Sequence, residues 1–324
     1  MTDIHNQPHF QKIDNPKARS FKGNEFPIAY ILERSQDTNS DSILELLKSK
    51  AKSGFFTDAL RKNGAILLRN LGTTNPEVIS KYIKAIGEYS NLKLFDQNGT
   101  LAQRHDITDV LTTANEGPPS NTLYQHNEFS RFTDYPTTLF FVCTKYEQGK
   151  TKGGNTPIVH GGELFEKLKA ADLKKLDELA RRGVYFKQVW NLNSDNNTSW
   201  RDKYTFGRNI VGYDEKGETF WKVEGLENQK LEAEKIVKDK VSPLFEWDSD
   251  DNLVVHQHTK AIKSYEGKYP VVFSSLPTFY ASIARTSRLA GRTDLIRYGD
   301  SDTEYIPNDF LDLILDTSIE IHFG

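Results

Sequence analysis

The sequence predicts one α+β domain with helices flanking a β core, and three observations carry that expectation. Short apolar runs of strand length alternate with amphipathic helical segments along the chain. No linker-like stretch divides them, and no internal repeat recurs. The length, 324 residues, is enough to bury a large core.

Residues 1–26 are polar, with scattered Pro and Gly and no sustained period, which suggests a surface arm ahead of a single domain over 27–324. From Asp41 the run SILELLKSKA has helical spacing behind a Ser/Asp cap. FTDALRKNG predicts a second helix that Gly64 stops before the strand AILLRNL. Asn75 and Pro76 form a cap and first-turn pair for a helix through EVISKYIKAIGEY. After a loop ending in ANEGPPSNT, three strands are expected in succession: TLYQHNEFS, TTLFFVCT and GGNTPIVHG. GGELFEKLKAADLKKLDELARRG then reads as one amphipathic helix closed by Gly183, followed by the strand VYFKQVW. Asn191 to Asn197 is polar and predicts a mobile insertion. LENQKLEAEKIVKDK is a helix candidate, and LVVHQH and PVVFSS are strand candidates. The final NDFLDLILDTSIEIHFG predicts a helix capped by Asn308 and then a strand over SIEIHF.

Composition removes several function classes. Lys+Arg of 42 against Asp+Glu of 45 gives a net charge of −3 without a long block of either sign, which disfavours nucleic acid and acidic membranes as partners and leaves a small molecule. Cys143 is the single cysteine, so thiolate zinc sites and internal disulfides are excluded and a reducing compartment fits. The N-terminus has no apolar signal region, and no run of about 18 apolar residues occurs. A cytoplasmic protein is the expectation. Oligomeric state is not legible.

The chemistry-bearing motif is His126-x-Glu128. On a strand, side chains alternate, so an imidazole and a carboxylate two apart share one face and converge on one ion. With eight His in the chain, a chance H-x-E arises about half the time, so a surface His beside a surface Glu is the plainer reading of the tripeptide alone. Context changes the balance: ANEGPPSNTLYQHNEF, YPTTLFFVCT and GGNTPIVHG follow in order. Together they resemble the TauD/TfdA-like oxygenases, most closely the clavaminate synthase-like branch. FTDALRKNGAILLRNL is similar to that family's N-terminal element, and the likeness runs from Phe55 to the C-terminus, weaker after Val189.

The resemblance implies a mainly β fold, a double-stranded β-helix (jelly roll) with flanking helices and the metal at its open end. It implies Fe(II) held by His126 and Glu128, with Thr156 of the G-G-x-T element contacting 2-oxoglutarate. O2 is then the second co-substrate, and a small organic molecule is hydroxylated or desaturated. The family's remaining elements, a late His ligand and an Arg for the distal carboxylate of 2-oxoglutarate, are expected beyond Gly324. A truncated or degenerate family member that binds a ligand or partner without catalysis is therefore the alternative. A zinc hydrolase is disfavoured by the absence of H-E-x-x-H.

Other residues weigh toward structure. His256 and His258 form H-x-H on a strand, more often core or edge histidines than ligands, and neither they nor His322 are assigned the third corner. His160 is expected to top a turn. The four tryptophans suggest packing, with Trp200 and Arg201 as candidate substrate contacts. Arg131 is weighed evenly between a surface residue and a contact for a substrate anion. Gly153 and Gly154 serve a turn.

Overall fold

In the computed structural model, residues 7–99, 104–114, 122–147, 149–150, 154–194, 199–289, 291 and 294–323 are described. The N-terminal third builds a small sheet covered by helices. Strands β1 (His9–Ile13), β2 (Arg19–Phe21), β3 (Asn24–Phe26) and β4 (Ile28–Glu33) precede helices α1 (Ser40–Lys52) and α2 (Phe55–Asn63), strand β5 (Ile66–Arg69) and helix α3 (Pro76–Tyr89). β1 pairs antiparallel with β4, and β4 pairs parallel with β5, so α1 and α2 form the crossover that a parallel pair requires. The segment expected as an arm thus supplies three strands. β2 and β3 form a hairpin, and Phe26 is buried.

Caps decide where these helices begin and end. Asn39 accepts from the Ser42 N–H at 2.9 Å to start α1, and Asn75 accepts from the Glu77 N–H at 2.9 Å to start α3 with Pro76 behind it. Gly64 ends α2 at φ 76°, a left-handed conformation that a side chain would strain. Leu32, Ile43, Leu47, Phe56, Tyr82 and Ile86 close an apolar core between the sheet and the helices.

The C-terminal part starts with α4 (Gly161–Arg182), which leads into β6 (Val184–Trp190). His160 is the N-cap of α4, its Nδ1 accepting from the N–H groups of Gly162 and Glu163 at 3.1 and 3.3 Å. The expected single helix is broken at Asp172, whose φ of −153° and ψ of 82° are not helical. Asp172 accepts from the Lys175 N–H at 3.0 Å and so caps the second half as a fresh start. Two short strands, β7 (Val211–Tyr213) and β8 (Thr219–Trp221), form a hairpin ahead of α5 (Leu226–Ile236) and a π turn over Val237–Val241. β9 (Phe245–Trp247) and β10 (Leu253–Thr259) join β6 in an antiparallel sheet of order β6-β10-β9. The hairpin β11 (Ile262–Tyr265) and β12 (Tyr269–Val272) leads to α6 (Leu276–Leu289) and α7 (Asn308–Glu320). One core gathers Leu168, Leu176, Phe186, Tyr280 and Phe310, and another gathers Trp190, Trp200, Phe206 and Val255.

The fold is a mixed α+β arrangement, and several expectations change. Helices outweigh strands: α3 and α6 each run for 14 residues and the longest strand for seven, so "mainly β" does not describe it. Among the described residues the strands form sheets of two or three, and none closes into a barrel. The three strands expected between Thr122 and Gly161 are irregular instead. Leu139, Phe140, Phe141 and Val142 are exposed, and Ile158 makes one isolated bridge with Phe323. A continuous apolar run suits a strand only where neighbours take up its backbone groups, and among the described residues none does. At the C-terminus, α7 continues through Glu320 where a strand was expected, and its N-cap is Pro307, not Asn308. The insertion at Asn191 to Asn197 lies partly outside the described residues, as does Gly153.

Candidate metal centre

His126 and Glu128 stand at the start of a tight turn, held by a residue between them that points elsewhere. Asn127 donates its N–H to the Ser274 carbonyl at 3.2 Å and accepts from the Ser274 N–H through Oδ1 at 3.0 Å. Ser130 and Ser275 share a hydroxyl hydrogen bond of 2.7 Å, and Phe129 turns the chain at φ 54°. The loop after β12 thereby fixes the segment that presents both candidate ligands.

The imidazole Nε2 of His126 lies 3.7 Å from Glu128 Oε1, and both side chains are about three-quarters covered, at 24 % and 26 % exposure. His126 Nδ1 is 2.8 Å from the Tyr124 carbonyl, which accepts its proton and turns Nε2 toward the carboxylate. Arg104 adds a second cation 3.6 Å from Glu128. Glu128 holds the His126 pKa above its ordinary value, against the opposing effect of burial, with the Tyr124 carbonyl adding to the rise. In turn His126 lowers the Glu128 carboxyl, with Arg104 contributing.

This donor set suits a divalent ion at two corners. Ligands at right angles, each about 2.1 Å from an ion, stand about 3 Å apart, so the observed separation needs only a small side-chain closure. The ion would take the place of the proton on Nε2, which the Tyr124 carbonyl leaves free for it. Among the described residues no group of three His, Cys, Asp or Glu stands together, so the third corner is not assigned. His256 is engaged elsewhere, its Nδ1 2.7 Å from the Tyr185 hydroxyl, and His258 Nδ1 faces the Gly299 carbonyl. His322 bonds within its own turn, to Ile319.

Thr156 is exposed, two residues before the Ile158–Phe323 bridge, and no hydrogen bond joins it to His126 or Glu128. Trp200 is fully buried, donating Nε1–H to the Asp251 carbonyl at 2.9 Å, and so packs the core. Sequence reasoning missed Arg104, which sits in a stretch that reads as loop and carries no pattern. It also missed Asn127, whose side-chain oxygen accepts from a backbone N–H more than a hundred residues away, a contact no local pattern announces.

Comparison with known proteins shows what the chain as a whole is similar to. A clavaminate synthase-like protein of Arabidopsis thaliana is 26% identical over 149 residues, a match that spans 45% of this chain and 42% of that protein. The family described as taurine catabolism dioxygenase TauD, TfdA family matches residues 37–264, which contain the His126–Glu128 pair. That match covers more than half of the sequence, and the chain belongs to the TauD/TfdA family.

Proposed function

We propose that this protein is an Fe(II)- and 2-oxoglutarate-dependent oxygenase of a small organic molecule, with His126 and Glu128 as iron ligands and Thr156 as a contact of the keto acid. The observation that supports this most is the convergence of His126 Nε2 and Glu128 Oε1 at 3.7 Å inside the family match. Iron held there supplies the chemistry that couples oxidation of a substrate C–H, by hydroxylation or desaturation, to conversion of 2-oxoglutarate and O2 into succinate and CO2. The protein's own share is placement. Asn127 sets the register of the two side chains, the Tyr124 carbonyl fixes the imidazole ring, and partial burial limits water around the carboxylate. Family membership supports a jelly-roll frame; a single catalytic domain, now including the N-terminal strands, and a cytoplasmic location are part of the same proposal.

A second reading, binding without turnover, is favoured by Arg104, because its guanidinium already supplies positive charge to Glu128. Anaerobic titration of the full chain with Fe(II) and 2-oxoglutarate separates the two. The oxygenase reading expects a weak visible charge-transfer band, succinate on admitting air, and loss of both in His126→Ala and Glu128→Ala. No band and no succinate in the unmodified chain would leave the binding reading standing.

A further inference from the structure

Two arginine side chains among the described residues are almost fully buried, and they are treated in opposite ways. The Arg182 side chain, 8 % exposed, is met by three carboxylates, those of Glu178, Asp300 and Glu304. Arg131, 9 % exposed, meets none among the described residues. Its one hydrogen bond runs from Nη1 to the neutral Gln257 amide oxygen at 3.0 Å. Three aromatic rings enclose the cation, with the guanidinium carbon 4.3 Å from the Phe279 centroid, 5.6 Å from Phe186 and 5.8 Å from Phe132. The other guanidinium N–H groups have no acceptor among the described residues, and they are not sealed off either, since among those residues the fully enclosed partnerless arginine nitrogen is Arg104 Nε. A buried cation without a counter-ion is costly unless something pairs with it.

Position supplies the rest. Arg131 lies three residues after Glu128, so the chain holds its Cα within about 11 Å of that residue's. It closes the turn that Asn127 and Ser130 tie to Ser274 and Ser275. A rigid guanidinium fork matches a planar carboxylate, and aromatic walls sharpen the charge by excluding water. We infer that Arg131, steadied by Gln257 and enclosed by Phe132, Phe186 and Phe279, anchors the carboxylate of a small organic acid on the turn that also carries Glu128. Its part in turnover rests on the oxygenase reading above, whereas carboxylate binding does not require iron. Burial lowers the guanidinium pKa to about 10, which still leaves it charged at neutral pH.

The test is isothermal titration calorimetry on the full metal-free chain with 2-oxoglutarate and with benzoate, and phosphate as the control anion. At least one of the two acids is expected to bind, with affinity falling 10-fold or more in Arg131→Gln. Loss for 2-oxoglutarate assigns the anchor to the keto acid. Loss for benzoate with 2-oxoglutarate unchanged assigns it to an acidic substrate. Gln257→Glu provides a variant that keeps the fold: its new carboxylate should pair with Arg131, raise the melting temperature and abolish acid binding. Affinities unchanged in both variants, binding of phosphate alone, or no acid bound at tens of millimolar overturns the proposal. The two readings fail separately. An Arg131-dependent acid with no charge-transfer band sinks the oxygenase, and a band with Arg131-independent affinities sinks the anchor.

Discussion

Asn127 never shares a face with the residues on either side of it, and that is how it serves them. Its backbone N–H donates to the Ser274 carbonyl and its side-chain Oδ1 accepts from the Ser274 N–H, a two-bond pairing confined to one residue. Asn127→Ala would leave the nearly buried Ser274 N–H without its acceptor, at a cost of about 1–3 kcal/mol, to be read from chemical denaturation. His160 gives a second test, through pH. Burial holds its pKa below the ordinary value, and Nδ1 must stay unprotonated to accept from Gly162 and Glu163. The unfolded chain therefore takes up the proton first. Stability from this residue is full above about pH 6.5 and falls as pH drops toward the lower folded value. His126 is shifted upward and works in the opposite direction, so the comparison that isolates the effect is with His160→Asn, which keeps a cap oxygen. The variant should lose less stability than the wild type between about pH 7.5 and 5.5.

At the scale of elements, legibility followed locality. Helices α1, α2 and α3 were readable because periodicity and caps lie within a few residues: Asn75 with Pro76 and the stop at Gly64 stand where the sequence places them, whereas α1 is capped by Asn39 and takes the expected Ser/Asp cap into its first turn. The restart at Asp172 was missed, since an Asp flanked by good helix formers looks tolerable inside a long amphipathic pattern. The segment from Thr137 to Thr144 failed for a different reason. Strand propensity is a statement about fitting a pleated surface beside partners, and a sequence window cannot report whether those partners arrive. His126 and Glu128 do come together as expected of neighbours two apart, but on a turn and not on the strand face from which the spacing was argued. Arg104 and Gln257 were not legible, because their roles depend on long-range packing against Glu128 and Arg131. Two substitutions contrast these situations. Phe141→Ser, at a side chain 59% exposed, should move stability by no more than about 0.5 kcal/mol. Phe186→Ala, at 4% exposure in the main core, should cost about 3–5 kcal/mol in the same denaturation experiment.

Across the whole molecule, apolar packing is divided among three cores, one under the N-terminal sheet and two in the C-terminal part. His126 and Glu128 sit where the chain passes from the first region to the others, tied across by the Asn127 and Ser130 contacts with Ser274 and Ser275. The exposed run Leu139–Val142 follows on the same chain, in neither strand nor helix and with its rings exposed. A backbone without strand or helix partners is readily drawn into a protease cleft, and chymotrypsin cuts after aromatic residues. Brief digestion of the native protein should therefore nick first after Phe140 or Phe141, seen by mass spectrometry as two complementary fragments. His126 and Glu128 would travel with one piece, and Thr156, Gln257 and Ser274 with the other. The pieces should co-elute until denaturant separates them, leaving a candidate metal site assembled from two polypeptides.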